Sequence, residues 1–378
     1  MKPKIWLSSP HMGGAEIKYI QEAFDQNWIA PLGPNVNNFE LDLENYLNHN
    51  SKVTALSSGT SALHLALMMC NVKRGEEVFC QSMTFSASAN PITYVGAHPV
   101  FIDSEPDTWN MCPEALREAL EDRAVRGKLP KAVIVVHLYG MPAKMDEILQ
   151  VCEEYGVTLL EDAAEALGST YKSQKCGTFG QMAILSFNGN KIITTSGGGA
   201  LVSKSFARKK RAIFLSTQAR EDAPHYEHAE IGYNYRLSNV SAGIGRGQME
   251  VLDERIEARR ANHRFYSELF SEIHGVEVLT EPNSDYFSNH WLSAITINPE
   301  VAGFSREDLR MRFERENIES RPLWKPMHMQ PVFEEAHYFG TDHVAEKLFD
   351  NGLCLPSGSN LTDAERSRIA QVVNKVLV

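Results

Sequence analysis

Short apolar runs alternate with stretches of helical periodicity through the first half of the chain. Val53–Leu56, Glu77–Cys80, Pro99–Asp103, Ala132–His137, Val157–Asp162, Ala183–Phe187 and Gly199–Val202 read as strands. Between them Ser61–Met69, Pro113–Glu121 and Met145–Tyr155 carry the spacing of helices. This alternation predicts a mainly parallel sheet of seven strands covered on both faces, an α/β unit. The unbroken apolar character of Val133–Val136 fits a strand buried on both sides. The pattern changes near residue 240. Ser241–Phe270 reads as one long helix bearing Glu250, Asp253, Glu254, Arg255 and Glu257. Trp291–Ile297 alternates as a strand, and Arg306–Glu316 and Ala364–Val376 read as helices. We expect a large domain over 1–255, N-terminal segment included, and a smaller α+β domain over 256–378.

Composition narrows the class. Hydrophobic residues are 43% of the 378 and charged residues 22%, enough apolar surface to offset ordering entropy without a disulfide or metal staple. Lys plus Arg is 37 against 48 Asp plus Glu. That acidity argues against nucleic acid or an anionic membrane as partner, and leaves room for a local positive pocket. Six Cys without a CxxC pair read as reduced thiols. With no apolar leader and no run of spanning length, a cytoplasmic protein is expected. His11, His64, His98 and His137 lack metal-ligand spacing, so no metal is expected.

Three groups at strand ends carry the candidate chemistry. Ser57-Ser-Gly-Thr-Ser-Ala62 joins a strand to a helix; small residues and free helix N–H groups suit a phosphate. Asp162 ends an apolar strand, where its carboxylate wants a cationic partner such as a protonated heterocycle. Lys191 follows a strand and precedes Gly197-Gly-Gly199, a setting for a Schiff-base lysine. Singly, each has a plainer reading: a helix cap, a structural ion pair, a solvated lysine. Together they match the way proteins hold pyridoxal phosphate.

The chain resembles the DegT/DnrJ/StrS sugar aminotransferases, of pyridoxal-phosphate fold type I, over nearly its whole length. The resemblance rests on Ser57–His64, Met83–Phe85 with Ala87 and Pro91, Gly96–Asp103, His137–Gly140, Glu161–Gly168, Ser186–Lys191, Gly197–Gly199 and Gly232–Leu237. Within the family, Pro10–Gly14, Asn27–Gly33, Asn188–Gly199, Ser216–Arg220 with His225–His228, and Arg321–His328 are similar to the bacillosamine-pathway transaminases. The resemblance implies Lys191 as the Schiff-base and proton-shuttling lysine, Asp162 on the pyridine nitrogen, Glu165 near its hydroxyl and Phe85 on the ring face. It implies Gly59, Thr60 and Ser186 on the phosphate, with Asn234 reaching the partner subunit's cofactor in a homodimer of shared sites. Asn27, Trp28, Ile29, Ala30, Arg321, Trp324, Lys325 and His328 match segments lining the sugar-nucleotide pocket. The implied reaction moves the amino group of L-glutamate to C4 of a UDP-2-acetamido-2,6-dideoxy-4-keto-hexose. A TDP- or GDP-sugar is the nearest alternative. A cofactor-dependent dehydratase is disfavoured by Lys191, where that branch carries His, and a non-catalytic sensor by the lack of a DNA-binding extension.

Overall fold

The computed structural model describes residues 2–375. Its larger sheet runs, in spatial order, Lys52–Leu56, Gly199–Ser203, Met182–Ser186, Thr158–Asp162, Ala132–Val136, Glu77–Gln81, His98–Ile102 and Tyr338–Phe339. The pairings from Met182–Ser186 outward to Tyr338–Phe339 are parallel, and Gly199–Ser203 runs antiparallel to both its neighbours. All seven expected strands are present. The eighth, Tyr338–Phe339, comes from far along the chain and is two residues long, too short to show a periodicity of its own.

The expected long helix is two helices, Asn239–Met249 and Leu252–Phe270. The chain turns at Val251, whose φ of −117° and ψ of 8° leave the helical range. Gly243, Gly245 and Gly247 explain where the first helix sits. A Cβ on Gly245 would lie 2.7 Å from the Phe39 ring, and one on Gly247 2.6 Å from the Glu16 nitrogen. The glycines, Gly245 on the side of the helix opposite Gly243 and Gly247, therefore let helices Glu16–Asp25 and Pro34–Leu47 pack at close range.

Val276–Val278, Ser293–Ile297, Gly352–Leu355 and Arg321–Pro322 form a second, antiparallel sheet. Tyr266, Phe270, Leu309, Phe313, Ile369 and Val373 from three helices cover it. Ile5 belongs to the same core, bonded to Asn317 and Glu319 through its backbone. The last helix is Asp363–Asn374; Val376, its expected end, lies outside the described residues. Among the described residues no helix is long and apolar enough to cross a membrane.

Candidate active site

A cavity of about 560 Å³ opens at the carboxyl ends of the parallel strands. Its floor begins at Leu56, where the chain leaves the sheet and enters the helix Gly59–Met69. Ser58 caps that helix reciprocally with Ser61, which leaves the Gly59 and Thr60 N–H groups without an intrahelical acceptor. Gly199 packs directly behind this turn: a Cβ there would sit 2.3 Å from the Gly59 nitrogen. Ser186 closes the same corner, with its Cβ 3.3 Å from the position of a Cβ on Gly59. Free N–H groups at a helix start, a hydroxyl and a backbone with no side chain in the way make a cradle for a phosphate dianion.

Asp162 ends its strand with both carboxylate oxygens held. Ser88 Oγ donates to Oδ2 at 2.6 Å and the Ala164 N–H to Oδ1 at 3.1 Å. Thr84 Oγ1 is 2.7 Å from the Ser88 hydroxyl and completes a short polar chain. A carboxylate has further acceptor capacity, so the aspartate is positioned yet open to one cationic N–H.

Lys191 Nζ lies 3.1 Å from Glu165 Oε1 and 4.2 Å above the centre of the Trp291 ring. Glu165 is buried, and the Tyr139 N–H donates to its other oxygen at 2.8 Å. Burial pushes the Glu165 carboxyl up to about 7, against the pull of Lys191 and of the Tyr139 N–H. Lys191 is therefore held between a carboxylate that changes charge near neutrality and an aromatic face. Behind it Arg259 is buried and, among the described residues, has no carboxylate partner; its guanidinium donates to the carbonyls of Trp291 and Ser357 and to Ser8 Oγ. Burial, with Arg255 nearby, pushes that guanidinium down to about 9.

Among the residues expected from the sequence, the cavity wall brings together Gly59, Thr60, Phe85, Asp162, Glu165, Ser186, Lys191, Arg321 and Trp324. The Phe85 and Trp324 rings meet with centroids 5.6 Å apart. Arg321 reaches the rim and pairs with Glu319 at 3.0 Å. The other expected residues lie elsewhere. Asn234 is exposed and outside this wall. Asn27, Trp28, Ile29 and Ala30 form a turn pinned by Asn239, which donates to the Trp28 and Ala30 carbonyls. Lys325 does not line the cavity. His328 is taken up by Ser82, at 2.6 Å, and Glu346, at 3.2 Å. His64 is buried, 3.3 Å from the Tyr235 hydroxyl.

Ser88 and Trp291 also line the cavity and Arg259 backs it, although no sequence signal assigned them a role; Tyr139, inside the His137–Gly140 motif, lies behind the wall without a role read from the chain. Trp291 opens a run that alternates as a strand, and that reading masked its place beneath Lys191. The donor set fits pyridoxal phosphate: an anion cradle, a carboxylate for a cationic ring nitrogen, an amine for a carbonyl and an aromatic cover. Among the described residues no cluster of His, Cys, Asp or Glu has metal-holding geometry.

The profile of the DegT/DnrJ/EryC1/StrS aminotransferase family matches residues 10–375. EpsN of Bacillus subtilis, a protein assigned to the pyridoxal phosphate-dependent aminotransferases, is 54% identical over 376 residues, 99% of this chain and 96% of that one. GDP-perosamine synthase of Caulobacter vibrioides is 35% identical over 379 residues, covering 100% of this chain and 99% of the relative. Among solved structures, the pyridoxal-phosphate form of Spr1654 from Streptococcus pneumoniae, classed as a sugar aminotransferase, superposes with a TM-score of 0.88. Its identity is 26%, with 100% of each chain covered.

Proposed function

Since the chain belongs to the DegT/DnrJ/EryC1/StrS aminotransferase family and is a pyridoxal-phosphate-dependent sugar aminotransferase, we propose that it aminates C4 of a UDP-2-acetamido-2,6-dideoxy-4-keto-hexose with L-glutamate as donor. The observation that carries the sugar side is the wall shared by Lys191, Trp324 and Arg321. An indole offers an apolar face to a sugar or base, and a guanidinium a charge-assisted bond to a diphosphate. The bound cofactor supplies a carbonyl that takes up an amine and a ring that withdraws charge from the carbon losing a proton. Gly59, Thr60 and Ser186 would hold its phosphate, Phe85 would cover the ring, and Asp162 would keep the ring nitrogen protonated. Lys191 then moves the proton to and from the substrate carbon, with Glu165 Oε1 as the neighbouring acceptor of its Nζ proton.

The GDP-perosamine synthase relative favours a second reading, in which the nucleotide is guanosine diphosphate. A panel of UDP-, GDP- and TDP-linked 4-keto sugars, each offered with glutamate and followed by product NMR, tests both. Preferential turnover of the UDP-N-acetyl substrate is expected; equal or better turnover of a GDP-sugar refutes the narrower assignment.

We place Asn234 and the turn Asn27–Ala30 at the site of a second subunit. Phe24, Ile29 and Leu32 are 59%, 49% and 56% exposed beside that turn, an apolar strip that a partner would cover. Mixing Lys191→Ala chains with Asn234→Ala chains is expected to restore activity, because one composite site then carries both defects and the other neither. Continued inactivity after demonstrated subunit exchange would count against shared sites.

A further inference from the structure

Among the described residues, Tyr139 alone touches both the Lys191–Glu165 pair and the Trp324 segment through hydrogen bonds. Its backbone N–H donates to Glu165 Oε2 at 2.8 Å, and its phenol oxygen accepts the Trp324 backbone N–H at 3.0 Å. Its ring stands 5.2 Å from that of Trp324 and stacks, at 26°, on that of Trp291, the ring beneath Lys191 Nζ. The side chain is 1% exposed.

The backbone there is unusual. Tyr139 has φ 53° and ψ 16°, the left-handed region that a bulky side chain avoids. Such a conformation persists only where its surroundings over-determine it, and it gathers at functional sites. The surroundings are visible. Gly140, at φ +96°, presses on Asn289, so that a Cβ would lie 2.0 Å from Asn289 Oδ1. Asn289 Nδ2 in turn donates to the Glu165 and Leu167 carbonyls at 2.8 and 2.9 Å. The left-handed turn aims the N–H of Tyr139 at Glu165 while its ring reaches the opposite way, to Trp324.

We infer that Tyr139 is a positioning residue that couples the reacting amine and its carboxylate to the substrate-facing Trp324 segment. It fixes Glu165 through its N–H and Trp324 through its phenol, and so keeps the sugar side of the cavity in register with Lys191. The inference rests on the aminotransferase reading and on Trp324 facing the sugar. It places no demand on which nucleotide is bound.

Tyr139→Phe tests it, because the ring and the N–H to Glu165 stay while the hydroxyl goes, and with it the acceptor for the Trp324 N–H and the contact with the buried Cys354 thiol. In the holoenzyme the KM for the keto sugar is expected to rise about tenfold, the scale of one lost buried hydrogen bond. The rate of the glutamate half-reaction, read from the cofactor's absorbance, is expected to stay at the wild-type value. Amide exchange gives a readout independent of turnover: residues 321–328 should exchange faster in the variant, with or without cofactor, while 139–141 keep their protection. Equal exchange at 321–328, an unchanged KM, or equal losses in both half-reactions would each overturn the coupling. If wild-type enzyme turns over no nucleotide-linked keto sugar, the proposed substrate fails, and the exchange measurement still decides on Tyr139. If the variant does not fold, the wild-type protein decides: a Trp324 amide that exchanges freely while that of Tyr139 is protected overturns the inference.

Discussion

Lys191→Ala is expected to lower turnover by at least ~10⁴-fold, since in the proposed mechanism one side chain is both the nucleophile that would hold the cofactor and the base that would move the proton. Borohydride treatment should fix the cofactor covalently on the wild-type peptide containing residue 191 and leave the variant chain at its unmodified mass. Lys191→Arg should fail equally. A guanidinium retains the charge opposite Glu165 but is not deprotonated to a nucleophile. The variant also carries a pH signature. Removing the amine takes away one of the groups that hold the Glu165 carboxyl down, so a carboxyl already at about 7 moves higher. An acid whose folded pKa is raised favours the fold while protonated, and that contribution is lost as pH rises through the folded value. Cofactor-free Lys191→Ala should therefore lose thermal stability between neutral and mildly alkaline pH, where wild type, with its ion pair, loses less. Full activity, or a mass shift at residue 191 after substitution, would remove Lys191 from the role.

How much of this site could be read from the chain follows from how local each signal is. Asp162 and Lys191 stand out because each interrupts a local pattern: a charge at the end of an apolar strand, and a lysine before three glycines. The cradle at Ser57–Ala62 is similarly local, since its cap, free N–H groups and helix lie within one turn. Tyr139 belongs to the His137–Gly140 motif, which marks the residue but not its partner. Its phenol meets a backbone N–H 185 positions later, and nothing in the residues around either position anticipates the pairing. His328 shows the reverse error. It adjoins Trp324 and Lys325 in the chain, yet Ser82, 246 positions away, and Glu346 take both ring nitrogens. The helix break at Val251 leaves no local mark, because no Gly or Pro stands at positions 248–256 and helix-forming residues flank it. The parallel sheet was legible because Ala132–Val136 is a continuous apolar run buried throughout, and Glu77–Gln81, His98–Ile102 and Thr158–Asp162 beside it are buried over four of their five residues.

Asp162→Asn should reduce turnover by about 10²- to 10³-fold, the range found when one preorganised charge-stabilising contact is removed from a buried site. The change is nearly isosteric. The amide oxygen can still accept from the Ala164 N–H, and the amide nitrogen can donate to Ser88 Oγ, whose own proton then turns to Thr84 Oγ1, so the strand end and the polar chain remain bonded. What disappears is the negative charge that favours a protonated heterocyclic nitrogen. Asp162→Ala separates fold from chemistry. It leaves the Ser88 hydroxyl and the Ala164 N–H without their acceptor, which should cost roughly 1–3 kcal/mol of stability in addition to the catalytic loss. Denaturant unfolding of the cofactor-free proteins should thus place Asn close to wild type and Ala well below it, while steady-state rates place both variants far below wild type. An Asn variant with wild-type turnover would mean that the charge at 162 serves only the strand end. Both variants losing stability alike, with activity falling only as fast as folded protein, would say the same. Neither outcome fits a buried carboxylate held by two donors on the wall of the cavity that Lys191 also lines.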